Sequence, residues 1–358
     1  MTTNEGVRGG SASPAGSRGS APGGPGSAPR PPLRRIALLD DFGDAARHAA
    51  DWSGLPVEVF TDHVTGPALA ERLRGFDAVV LIRERSPFPA TLVEALPDLR
   101  LVVTTGMRNR VLDLAACEAR GIAVCGTPSS AAPTVELTWG LILGLARRLP
   151  AQEAALRQGQ WQAHPPGLEL EGATLGVAGL GRIGVRVTAV ALAFGMKVLA
   201  WSPNMTVEKA AAAGAELVSK RDLFARSDIV SLHLGLGPST RGIIGAAELA
   251  AMKPGALLVN TARGALVDEG ALLAALHEGR LGGAAIDVFE EEPLPPDHPL
   301  LAAPNTLLTP HLGYVSARNY RAYFEGATAC LRAWNAGAPL PNPLNAAAGA
   351  TISQDPHA

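Results

Sequence analysis

From Arg34 onward the chain alternates short apolar runs with stretches whose apolar residues recur every three or four positions. The first runs are Ile36–Leu39, Val57–Phe60, Ala78–Ile82, Leu101–Thr104 and Ile122–Val124, with helix-like stretches such as Gly66–Leu73 and Ala90–Leu96 between them. Apolar runs this short read as buried strands, and repeated βα units imply a parallel sheet covered on both faces. A long helical segment follows, from Thr134 to Gly159, in which Leu137, Leu141, Leu145, Leu149, Ala154 and Leu156 spread apolar surface over more than one side. It reads as a connector between domains and a contact for a second subunit.

A second alternation opens with Thr174–Ala178, Val198–Trp201 and Ile229–Leu232. Three further runs each end on ionisable residues: Leu257–Arg263, Ala284–Glu292 and Thr306–His311. In open α/β sheets the chemistry lies beyond the carboxyl ends of the strands. A cation, a carboxylate and a titratable imidazole delivered to that edge make a candidate catalytic set. The last candidate helix, Ala317–Asn335, comes after His311 and is expected to return to the first unit. The expected domains are therefore 33–132 with 315–340, and an inserted one at 133–314.

The inserted unit begins Gly179-Leu180-Gly181-Arg182-Ile183-Gly184. A GxGxxG is weak by itself. Here it follows an apolar strand and opens a helix carrying Ile183, Val187, Val190 and Phe194, the context of a dinucleotide fold. Gly179 permits the turn, Gly181 admits a pyrophosphate to the backbone N–H groups, and Gly184 allows close helix–strand contact. After the next strand comes Ser202-Pro203-Asn204 in place of the usual acid. Ser202 repels no 2′-phosphate and Asn204 can donate to one, yet no Arg follows, so NAD and NADP both stand.

Composition narrows the partners. With 31 basic and 33 acidic residues and a net charge of −2, no global field calls for nucleic acid or a membrane surface. No apolar run approaches the roughly 20 residues of a membrane span. Three cysteines are too few for a disulfide framework or zinc site, which points to a reducing cytoplasm and no metal. Of the first 32 residues, 23 are Gly, Ser, Ala or Pro, so 1–32 are expected to be a solvated tail and 341–358 a loose one.

The motifs GLGRIG, SLHLGLGPSTRGIIG, NTARGALVDEGAL, AAIDVFEEEPLPPDHPL and TPHLG resemble the D-isomer-specific 2-hydroxyacid dehydrogenase family. The resemblance runs from residue 34 to about 340, and Leu39–Phe42 with Thr104–Asn109 resemble a less characterised bacterial branch. It implies an α/β protein of two doubly wound parallel-sheet domains, a Rossmann cofactor domain inserted in a flavodoxin-like substrate domain. It implies that Arg263 binds and polarises the 2-oxo acid, that His311 is the acid/base, and that Glu292 bonds the imidazole and stabilises its protonated form.

By the same resemblance, Asp287 faces the nicotinamide carboxamide and Thr261 and Ala262 lie near the ring. Thr240 and Leu234 cover the cofactor, and the backbone of Gly106, Met107, Arg108 and Asn109 holds the substrate carboxylate. His233 shapes the cofactor pocket or is structural. Arg108 stands where the family usually has a second glycine and Tyr314 where it has another, so both are expected on the substrate side. Arg83 and Arg85 either assist there or are surface charges. The resemblance further implies a homodimer. The competing functions are formate- or phosphite-type oxidation, and a nucleotide-sensing role like that of the C-terminal-binding-protein co-repressors.

Overall fold

In the computed structural model, which describes residues 30–349, every named strand pairs with its neighbours in parallel. The first sheet comprises β1 (Ile36–Leu38), β2 (Val57–Val59), β3 (Ala78–Leu81), β4 (Leu101–Thr104) and β5 (Ala123–Gly126), in the order β2-β1-β3-β4-β5. The second comprises β6 (Thr174–Ala178), β7 (Lys197–Trp201), β8 (Glu216–Leu217), β9 (Ile229–Leu232), β10 (Leu257–Asn260), β11 (Gly283–Ile286) and β12 (Thr306–Leu308). Their order is β12-β11-β10-β9-β6-β7-β8. Parallel pairing requires a crossover between strands, and the crossing helices cover both faces. The central strands accordingly read as continuous buried runs: β3, β4, β5, β9, β10 and β11 have no exposed residue.

The chain leaves the first sheet through the helix Ala132–Ala146, which lies on β10, β11 and β12. It returns through the helix Ala317–Asn335, whose Tyr323, Phe324, Ala327, Cys330 and Leu331 pack against the β1, β3, β4 and β5 core. Each sheet reverses strand order beside its first strand, between β1 and β3 and between β6 and β9. Such reversals open a crevice at the carboxyl edge.

Several expectations change. The segment 134–159 is two helices, Ala132–Ala146 and Leu149–Arg157, broken at Arg148, which is left-handed at φ 52°. Pro150 is the physical cause: it lacks an N–H, and its ring would meet the Ala146 carbonyl in a continuous helix. The run at Thr306–Leu308 is a half-buried edge strand rather than a buried one, and β8 is a short extra edge strand.

The tails are also shorter than expected. Pro31 O accepts from Arg100 and Trp334, and Leu33 N donates to Asn335 Oδ1 at 2.8 Å, so 30–32 are tied down. Beyond Pro341, Leu344 N bonds Val124 O, and Asn345 bonds both Val124 N and Ile122 O. Backbone pairing with an edge strand removes the freedom that composition implied for 341–349. The remaining tail residues, 1–29 and 350–358, lie outside the described residues.

Candidate active site

The turns after six adjacent strands of the second sheet carry nearly all the candidate residues. In spatial order they are Ser202 after β7, Gly179 after β6, His233 after β9, Arg263 after β10, Asp287 and Glu292 after β11, and His311 after β12. Five strand spacings separate the ends of that row, roughly 24 Å, the reach of an extended dinucleotide.

At β6 the glycines each meet a steric demand. Gly179 has φ 103°, and a Cβ there would lie 2.8 Å from His233 O. A Cβ on Gly184 would lie 2.0 Å from Gly179 O, whereas one on Gly181 would meet nothing within 4 Å. The turn is thus open where a phosphate would approach and closed where helix Gly184–Ala193 meets the strand. Arg182 is exposed and Ile183 half-buried beside it; Ser202 is half-buried and Asn204 exposed beyond β7. These residues fit a nicotinamide dinucleotide.

Past β9, His233 bonds Ser231 Oγ at 2.9 Å, and burial holds its pKa down to about 4. A neutral imidazole is therefore built in at the end of β9. Leu234 is buried beside it. Thr240 is consumed by its own turn, accepting from Gly237 N and donating to Gly235 O.

After β10, Asn260 clasps the turn from both sides, bonding Ala262 N and Arg263 O. Thr261 is buried against Thr138 at 2.9 Å. Gly264 follows because the β11 turn crosses so closely that a Cβ would fall 2.1 Å from Phe289 C. Arg263 Nη1 donates to Ala262 O and Nη2 to Glu84 Oε2, each at 2.6 Å.

Glu292 and His311 form a carboxylate–imidazole pair, Oε2 to Nδ1 at 2.6 Å, while Glu292 Oε1 accepts from Phe289 N. Burial pushes the Glu292 carboxyl up. The imidazole, the Phe289 amide and the Arg263 charge outweigh it, so the group is held below its ordinary value. With Nδ1 engaged, Nε2 is the nitrogen left for a substrate. Arg263, Glu292 and His311 line one cavity of about 1720 Å³ between the two sheets, with Phe42, Arg85 and Tyr320 on its far wall.

Asp287 lies beneath the histidine loop. It is fully buried; Oδ1 accepts from Thr309 Oγ1 and Leu312 N, and Oδ2 from Gly313 N. The three bonds hold the turn on which His311 sits at φ 52°. Burial nevertheless raises its pKa. The carboxylate thus shapes the histidine loop.

The Gly106–Asn109 loop is not at the cavity. Gly106 N donates to Thr127 Oγ1, and the Asn109 amide donates inward to Arg83 O and Thr104 Oγ1. Met107 and Arg108 are exposed. Arg83, left-handed at φ 54°, lays its guanidinium across Gly106 and bonds Thr105 O. Tyr314 is buried behind His311, 5.2 Å edge-on, and accepts from Arg85 Nε at 2.6 Å; it does not line the cavity. Sequence reasoning missed Glu84 and Tyr320 as neighbours of the site, and, although it named Arg85 and Tyr314, it did not foresee their pairing. The charged loop after β3 was their only sequence signal. Among the described residues no group of three or more His, Cys, Asp or Glu is placed to hold a metal ion.

Fold and site together define a two-lobed dinucleotide-binding protein with an Arg–Glu–His set at the cleft. Residues 139–313 match the D-isomer specific 2-hydroxyacid dehydrogenase, NAD binding domain. A glyoxylate reductase from Aeropyrum pernix is 40% identical over 293 residues, 75% of this chain and 87% of that protein. A D-3-phosphoglycerate dehydrogenase from Methanocaldococcus jannaschii is 42% identical over 260 residues, 72% of this chain; the chain spans about half of that relative's length, 49%. The crystal structure of a phosphoglycerate oxidoreductase from Vibrio cholerae superposes with a TM-score of 0.77 at 40% identity, covering 81% of this chain and 95% of that one. The chain belongs to the D-isomer-specific 2-hydroxyacid dehydrogenase family.

Proposed function

We propose that the chain is an NAD(P)-dependent dehydrogenase interconverting a 2-oxo acid and a D-2-hydroxy acid, with residues 33–132 and 315–340 as substrate domain and 133–314 as cofactor domain. The observation that carries this reading is the Glu292–His311 pair, 2.6 Å apart, sharing a cavity with Arg263 beyond an open glycine turn. A nicotinamide dinucleotide held at the Gly179–Gly184 turn would supply or take up the hydride. In reduction, Arg263 binds the substrate carboxylate and polarises the C2 carbonyl. His311 Nε2 gives its proton to the carbonyl oxygen as charge develops there, and Glu292 holds the ring and its positive charge. In oxidation His311 takes the hydroxyl proton back. Ser202 and Asn204 take the adenosine end, and Thr261, Ala262, Leu234 and His233 bound the groove.

We assign a homodimer to the cofactor domain. Leu149 and Leu156 on the helix Leu149–Arg157, with Trp161, Val185, Leu192 and Phe194, are exposed large apolar residues of that domain, surface that a second copy would cover. Leu156→Glu should shift the particle to monomer mass in light scattering.

The functional test is turnover of a 2-oxo acid panel with NADH and NADPH, alongside formate and phosphite with NAD. No reduction of any 2-oxo acid refutes the reading. His311→Gln should abolish turnover while NADH still binds.

A further inference from the structure

Arg263 reaches across the cleft to a carboxylate of its own chain. Glu84, on the loop after β3, sets Oε2 2.6 Å from Arg263 Nη2, and the pair is partly shielded from water. The placement is built from both sides of the residue. Arg83 is held left-handed by Thr105 Oγ1 on its N–H and Asn109 Nδ2 on its carbonyl. Arg85 is anchored on Tyr314, Tyr320 and the Asp40 carbonyl. A non-glycine residue persists at positive φ only where its surroundings over-determine it. Glu84, between two fixed neighbours, is aimed at the guanidinium.

A guanidinium has two faces that can grip a carboxylate with paired N–H groups, and both include Nη2. In Arg263 one of the two Nη2 N–H groups holds Glu84 and one of the two on Nη1 serves Ala262 O, so a second carboxylate could be gripped only beside Glu84. A second carboxylate added beside Glu84 would set two like charges against one cation, with Glu292 also within the field of Arg263. Burial pushes Glu84 up, but the charge and hydrogen bond of Arg263 hold it down, so it stays ionised at neutral pH and does not yield by protonation. It has somewhere to go: Arg110 N already donates to Oε1 at 3.3 Å, and the Arg83 charge is near.

We propose that Glu84 is an intramolecular carboxylate ligand of Arg263 that is exchanged for the carboxylate of the incoming 2-oxo acid. The exchange sets an affinity threshold. A simple carboxylate trades one ion pair for another and gains little. A 2-oxo acid also presents its carbonyl oxygen to His311, and that extra contact drives the exchange. The idea rests on the function proposed above for Arg263.

The test uses the full-length protein with NADH and isothermal titration of two probes, acetate and oxamate, the latter carrying a carbonyl beside its carboxylate. Removing the competitor by Glu84→Gln should tighten both probes roughly fivefold, the worth of a partly exposed ion pair. Glu84→Asp, which keeps the charge but shortens the reach, should move both the same way, and circular dichroism confirms that each variant is folded. Weaker binding in both variants would make Glu84 a positioning residue for Arg263, and unchanged binding would make the contact incidental; either overturns the proposal. The function reading is tested separately. Wild-type protein that reduces no 2-oxo acid yet gains anion affinity on loss of Glu84 refutes the chemistry and leaves the exchange standing. Turnover with a KM unmoved in both variants refutes the exchange.

Discussion

Gly184 and Gly181 of the β6 turn stand in different surroundings, and alanine at each should act differently. At Gly184 an added methyl would stand 2.0 Å from Gly179 O and 3.1 Å from Gly179 C, both backbone atoms that no rotamer change can move. The start of helix Gly184–Ala193 must retreat by about 1 Å, at a cost of about 1–3 kcal/mol for an overfilled contact. The same shift carries away the N–H groups of the turn, and each charge-assisted bond lost is worth about 1.5–3 kcal/mol, about tenfold or more in affinity. At Gly181 a methyl meets nothing within 4 Å. The fold should tolerate it, with a slight gain from a stiffer unfolded chain. The methyl would then occupy the space a pyrophosphate enters, so binding alone should suffer. The assay pairs a thermal melt with an NADH fluorescence titration. Gly184→Ala should lower both melting temperature and affinity, whereas Gly181→Ala should leave the melt at or above wild type and weaken NADH at least about tenfold. Wild-type affinity in Gly181→Ala would show that this turn is not the phosphate cradle. An unshifted melt in Gly184→Ala would show that the helix is not packed as described.

Other perturbations reach the histidine loop and the end of β9. Asp287→Asn turns an amide donor against Gly313 N–H or Leu312 N–H, which should cost about 1–3 kcal/mol in denaturant titrations and lower kcat; full activity would mean that the loop holds without it. Tyr314→Phe removes the acceptor for Arg85 Nε and should destabilise by a similar amount, about 1–3 kcal/mol, with urea midpoints as the measure. Because burial holds His233 at about 4 against an ordinary 6.5, the folded state binds fewer protons than the unfolded one between those values. Its contribution is complete above pH 6.5 and is lost as pH falls towards 4. Melting temperature should therefore drop over that window, and less steeply in His233→Gln; identical slopes would exclude His233 as a source of acid sensitivity.

The βα alternation, the two sheets and the three strand ends bearing Arg263, Glu292 and His311 were legible in the chain because each depends on local periodicity and on turn residues beside apolar runs. Leu257–Asn260 cannot be other than a buried strand once its apolar length and flanking Gly255 and Gly264 are considered. The glycine turn was legible for the same reason: its demands are met within a few residues. The break at Arg148 was also within reach, since Pro150 marks it, but the continuous leucine pattern masked it.

What sequence could not supply were facts of contact between segments far apart in the chain. Glu84 lies 179 residues from Arg263, and Arg85 lies 229 from Tyr314. A charge run such as Arg83-Glu84-Arg85 reads as a solvated turn until the second lobe is set against it. Gly106–Asn109 has the local form of an anion-holding loop, and only the tertiary structure shows that the Gly106 N–H is bonded to Thr127 and the Asn109 amide turned inward. Asp287 looks from sequence like a free acid at a strand end, yet three donors from the next strand's turn consume it. That a cation, a carboxylate and an imidazole arrive at one edge was determined by the sequence alone, because strand ends share that edge. Which partners those side chains hold was decided by the tertiary structure, because charge and hydrogen-bond pairing act through space rather than along the chain.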